Sequence, residues 1–191
     1  TLMCSGFSTT LEDTGWLSTI LERKQIMKQR IDYKTAAPGA LKAMLGLETY
    51  VRNSGLEHSL LELVKTRVSQ INGCAHCLDM HTKDARAAGE TEQRLYVLPA
   101  WREAPFYSER ERTALAWAEA VTQISASAVE DKLYDEVRRH FDEKALVDLT
   151  LAIIAINGWN RFAVPFRAAT GSYQPSTAHA AGQPFASTRP G

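Results

Sequence analysis

Glu62-Leu63-Val64-Lys65-Thr66-Arg67-Val68-Ser69-Gln70-Ile71-Asn72-Gly73-Cys74-Ala75-His76-Cys77-Leu78-Asp79-Met80-His81 is the stretch on which the fold turns. Just before and within it, Leu60, Leu61, Val64, Val68 and Ile71 recur at the three- and four-residue steps of a helix with an apolar face. Asn72-Gly73 then closes this helix. A second helix is predicted from about Cys74 to Ala88, stopped by Gly89. A sharp turn between the two folds the first back against the second and can bring Glu62 alongside. On the second helix Cys74 and Cys77 are three apart and Cys77 and His81 four apart, so all three share a face.

The same periodicity extends outward, and no alternating β-branched run interrupts it, so the chain reads as all-α. Leu41, Met44, Leu45 and Leu47 mark a helix after Pro38-Gly39 that stops near Asn53-Ser54-Gly55. A short helix covers about Thr91 to Leu98 before Pro99, and a loop continues to Tyr107. Two capping boxes, Ser108-Glu109-Arg110-Glu111 and Ser127-Ala128-Val129-Glu130, predict helices over 109–124 and 128–140. Asp142 caps a last long helix, with Leu146, Leu149, Ile153 and Ile156 inside, that ends before Pro165. Residues 1–26 lack a sustained period and read as a peripheral extension; 27–171 form the helical domain; 172–191, with Pro175, Pro184 and Pro190, have the composition of a tail.

Composition narrows the function classes. Twenty-two basic residues balance 22 acidic ones in 191, which argues against a nucleic-acid face or a membrane surface and leaves small molecules or proteins as partners. The longest apolar run, Leu149 to Ile156, is too short for the ~20 residues that span a bilayer. The opening segment lacks the pattern of a secretory signal, so the expected location is the cytoplasm. Three cysteines do not make a secreted disulfide framework. A close pair in a reducing compartment, with Cys4 a bystander, points to chemistry or metal binding.

The residue types suit redox chemistry. A thiolate is the reactive form of cysteine, and a helix N-terminus stabilises it through unpaired N–H groups and the dipole. An imidazole near the Cys77 sulfur can take or return a proton, and a carboxylate can orient the imidazole or relay the proton onward. His81 and Glu62 fit these roles. A second thiol can condense with a sulfenic acid to give a disulfide.

Glu62-x11-Cys74-x-x-Cys77-x3-His81, together with Asn72-Gly73-Cys74-x-His76-Cys77, resembles the signature of AhpD-like alkylhydroperoxidases in the carboxymuconolactone decarboxylase superfamily. The resemblance covers about residues 30–170, and Asn157-Gly158-Trp159-Asn160-Arg161 looks like a late-helix segment of the same group. It implies an AhpD-like helical bundle assembled into trimers or hexamers, acting as a peroxidase. Cys77 would meet the hydroperoxide, Cys74 would resolve, Glu62 and His81 would relay protons, and His76 would be an auxiliary polar group near the sulfurs. No flavin, haem or metal is implied; an external dithiol reductant, such as a dihydrolipoyl protein, is. Members that decarboxylate lack the cysteine pair, so its presence favours the redox branch.

Other readings remain beside this one. Structural zinc needs four ligands, and His58, His140 and His179 stand singly. A c-type haem site needs histidine where Leu78 stands, and a thioredoxin-like fold needs strands. A redox-sensing or scaffold protein with negligible turnover, or a non-redox lyase or hydrolase using Glu62 and His81, are the alternative functions. Trp101, Trp117 and Trp159 read as core or interface aromatics. Arg138-Arg139-His140 reads as a solvated helix C-terminus, and Asn160 and Arg161 as candidates for contact with a neighbouring subunit.

Overall fold

A computed structural model of the chain describes residues 28–175. The expectations for residues 1–26, Cys4, His179 and the tail beyond Pro175 lie outside the described residues. Those described form eight α-helices and no strand: α1 (Tyr33–Ala36), α2 (Pro38–Arg52), α3 (His58–Ile71), α4 (Ala75–Ala87), α5 (Glu92–Val97), α6 (Glu109–Thr122), α7 (Asp131–His140) and α8 (Glu143–Phe166). A 3-10 turn, Leu98–Ala100, follows α5. Among them no helix is long and apolar enough to cross a membrane.

The central element is α3, which packs against α4, α6 and α8. Its Leu60, Leu61, Val64 and Val68 meet Ala114, Trp117 and Ala118 of α6 and Leu149, Ala152, Ile153 and Ile156 of α8. Leu63, on the other side, joins Leu95, Leu98, Trp101, Tyr107 and Leu115 in a second apolar cluster. Each such side chain, fully buried, stabilises the fold by roughly 1.5–3 kcal/mol. Because α3 is covered on both sides, its polar residues Glu62, Lys65, Thr66 and Ser69 are buried too. Buried charge needs a partner; Lys65 Nζ finds Glu48 at 2.8 Å, and Glu48 also accepts from Trp159 Nε1.

The helix starts follow local chemistry where backbone N–H groups are free to be capped. Ser108 and Glu111 form the reciprocal capping box, and Asp142 caps α8 by accepting from Ala145 N. The box expected at Ser127–Glu130 does not form, and α7 starts at Asp131 with no side-chain cap. The reason is competition: the Ser127 N–H, which Glu130 would have to receive, already donates to Gln123 O in the turn that ends α6.

Two further expectations are corrected. Pro165 does not stop α8, which runs one residue beyond it. A proline this close to the end removes only one ladder bond. The chain then turns at Arg167, whose φ of 53° is left-handed, with Arg167 N and Ala168 N returning to Val164 O and Ala163 O. Asn160 is no surface contact either: it is buried within its own chain, whereas Arg161 is exposed and bonds back to Asn157.

Candidate active site

The site begins with the turn between α3 and α4. Gly73 has φ 64°, a conformation glycine adopts without steric cost. The Asn72 amide donates to Asn157 Oδ1 at 2.9 Å and Asn160 Oδ1 at 2.8 Å, and the Asn160 amide donates to Ser69 Oγ at 3.3 Å. These bonds clamp the turn to α8. Cys74 is thereby set at the N-cap of α4, where its sulfur accepts from Cys77 N at 3.3 Å. The two cysteines are joined by a disulfide with Cα atoms 5.4 Å apart. Both are buried, at 1% exposure.

One turn after Cys77, the buried His81 lies on the same face of α4. Its Nδ1–H donates to Glu62 Oε2 at 2.9 Å, which links α4 to α3. His81 Nε2 is also buried and has no hydrogen-bond partner among the described residues. Burial alone would raise the Glu62 carboxyl, but the charge and hydrogen bond of His81, with Lys65 and His58 nearby, hold it down to about 2. Glu62 is therefore the anionic acceptor at neutral pH, fixing the imidazole's orientation. Its other oxygen, Oε1, is 3.8 Å from His58 Nε2, one turn earlier on α3.

A second carboxylate completes the buried polar cluster. Asp84 follows His81 by one turn, and Glu62, His81 and Asp84 each place a donor atom within 4.8 Å of the others. Such a trio has the residue types for a divalent cation. Here Glu62 Oε2 holds His81, and both Asp84 oxygens accept from the Tyr173 hydroxyl, at 2.7 and 3.0 Å. A cation would have to displace those bonds.

Of the five residues singled out in the sequence, Glu62, Cys74, Cys77 and His81 are gathered at the α3–α4 hairpin. His76 is placed differently: its Nδ1–H reaches out to Ala169 O at 2.5 Å. Asp84, His58 and Tyr173 were missed. The i,i+4 step from His58 to Glu62 and the i,i+3 step from His81 to Asp84 were available as signals. Tyr173 had none, being 89 residues from its partner. Two surface grooves, of about 470 and 430 Å³, lie away from these residues, one between α2 and Lys144 and the other along α7 and α8.

The carboxymuconolactone decarboxylase family profile matches residues 38–120. The uncharacterized protein YdfG of Bacillus subtilis is 50% identical over 138 residues, covering 72% of this chain and 94% of that protein. Alkyl hydroperoxide reductase AhpD of Bradyrhizobium diazoefficiens is 34% identical over 99 residues, 52% of this chain and 42% of that one. Among solved structures, a protein of unknown function from Agrobacterium tumefaciens, named as a candidate antioxidant-defence protein AhpD, superposes with a TM-score of 0.74 at 46% identity. It covers 76% of this chain and 100% of its own. The chain belongs to the carboxymuconolactone decarboxylase family and has its AhpD-like all-helical fold.

Proposed function

We propose that this chain is a cysteine-dependent peroxidase that reduces hydroperoxides and is recycled by an external dithiol. The observation that carries the reading is the pairing of a Cys74–Cys77 disulfide at the start of α4 with the buried Glu62–His81 couple one turn below. In the reduced state the Cys77 thiolate attacks the terminal peroxide oxygen. The O–O bond breaks, the alkoxide takes a proton from His81, and Cys77 becomes a sulfenic acid. The Cys74 thiolate then attacks the Cys77 sulfur, the S–O bond breaks, and hydroxide leaves as water. A dithiol donor, of which a dihydrolipoyl protein is one candidate, attacks Cys77 and expels Cys74; its second thiolate then attacks the donor sulfur of that mixed disulfide, which releases the Cys77 thiolate and leaves the donor as a disulfide. The N–H of Cys77 stabilises the leaving Cys74 thiolate at the N-cap.

The test is stopped-flow oxidation of the reduced protein by hydrogen peroxide and by organic hydroperoxides, with mass spectrometry locating the sulfenic acid. Rapid oxidation at Cys77, lost in Cys77→Ser, supports the reading. Peroxide turnover that survives Cys77→Ser overturns it. The near-complete burial of both sulfurs favours a second reading, a redox sensor with negligible turnover. Sustained peroxide consumption with a dithiol counts against that one.

A further inference from the structure

The chain does not leave the site after α8. Residues 169–173 cross back over α4 and are tied to it at four points. Ala169 O accepts from His76 Nδ1, Gly171 N donates to Asp79 Oδ2 at 3.0 Å, Lys83 Nζ donates to Tyr173 O at 3.0 Å, and Tyr173 OH donates to Asp84. The first three contacts lie along an outer edge of α4. The fourth reaches inward, to the buried carboxylate beside the Glu62–His81 couple.

Two buried carboxylates near one imidazole compete for its proton and its orientation. Glu62 has His81 Nδ1–H; Asp84 has a phenol across both of its oxygens. A donor shared by two carboxylate oxygens draws charge out of them, which weakens the negative field at His81 and leaves Glu62 as its oriented partner. We propose that Tyr173 is a positioning residue of the redox site, acting through Asp84 to hold the Glu62–His81 couple and to moderate the negative charge two turns beyond Cys77 on the same helix. This inference rests on the proposed thiol chemistry, but not on which oxidant reacts. Burial and the Asp84 bond push the Tyr173 hydroxyl well above the usual phenol range, so it remains a donor through neutral pH. The charged and titratable groups that act on Glu62 or Tyr173 include His58, Glu62 and Lys65 of α3, His81 and Asp84 of α4, and Arg52 at the end of α2.

The experiment is the pH dependence of iodoacetamide alkylation at Cys74 and Cys77 in the reduced full chain, followed peptide by peptide by mass spectrometry so that Cys4 is not counted, which reads thiolate formation without any peroxide. In Tyr173→Phe the less-shielded Asp84 charge disfavours the thiolate, so the midpoint rises by about half a unit or more. Asp84→Asn removes the charge and lowers the midpoint, and adding Tyr173→Phe to Asp84→Asn produces no further shift. A Tyr173→Phe profile that superimposes on the parent overturns the proposal. So does a second shift in the double variant, or loss of helical circular dichroism in Tyr173→Phe, which would make the phenol a structural support. Failure of peroxide turnover in the parent chain would overturn the peroxidase reading while leaving this profile to be measured. Tyr96→Phe, at an exposed phenol bonded to Glu92, is the control that leaves the profile in place.

Discussion

His81 Nδ1 and Glu62 Oε2 are 2.9 Å apart across the α3–α4 hairpin, and the other ring nitrogen of His81 is buried with no hydrogen-bond partner among the described residues. The carboxylate thus fixes one side of the imidazole and leaves the other ring nitrogen unbonded within the described residues. On the proposed chemistry that nitrogen carries the proton, and the two residues differ in what their loss does. His81→Asn removes the proton carrier and lowers peroxide turnover by roughly 100-fold or more. Glu62→Gln keeps an acceptor but loses the charge, and it lowers turnover by about tenfold. Steady-state consumption of an organic hydroperoxide with excess dithiol measures both; equal losses, or none, would contradict this division.

The depressed Glu62 carboxyl also predicts how stability depends on acid. In the unfolded chain this group protonates around its ordinary value of 4.5, but in the folded chain only near 2. Its contribution is fully present above about pH 5 and is lost as pH falls toward 2, because the unfolded state takes up the proton first. The size is on the order of 3 kcal/mol for a shift of this extent. Denaturant midpoints of the parent and Glu62→Gln, compared from pH 6 to pH 2.5, should converge as the pH falls. A constant gap would show that Glu62 is not the titrating group.

Clamping of the α3–α4 turn to α8 gives a third expectation. Asn160→Ala leaves Asn72 and Ser69 short of a buried partner. It destabilises the fold by about 1–3 kcal/mol. Urea unfolding followed by circular dichroism checks the magnitude. A loss under a few tenths of a kcal/mol would mean that the amide bonds are replaced by others.

Helix starts provide a fourth. Ser108→Ala breaks a formed capping box and costs about 1 kcal/mol. Ser127→Ala, at a box that has the same spacing but is not formed, changes stability by no more than about 0.5 kcal/mol. Paired thermal melts distinguish the two. An equal cost at both positions would put Ser127 back at a helix cap.

Much of the molecule was legible because its signals are local. The step from Leu60 to Val68, the Asn72-Gly73 stop and the Ser108 and Asp142 caps are each settled within a few residues, and the helices fall where these place them. Glu62 and His81 were legible as a pair once the turn between their helices was recognised. Ser127 misled because a capping box also depends on what the preceding turn has already bonded. Pro165 misled because a proline's cost depends on how many ladder bonds follow it. Asn160 needed knowledge of which helix closes over the turn, and Tyr173 needed the path of the chain after α8. Both contacts span more than 80 residues, a distance at which spacing carries no information.

The N-cap position of Cys74 has one more consequence. A thiol fixed three residues from Cys77, on a turn held by Asn72, faces its partner at an effective molarity far above the millimolar thiols of bulk solution. On the proposed chemistry the sulfenic acid is captured before a second oxidant molecule arrives. Sulfinic over-oxidation, the irreversible branch of thiol chemistry, is then closed off by the geometry of a single helical turn.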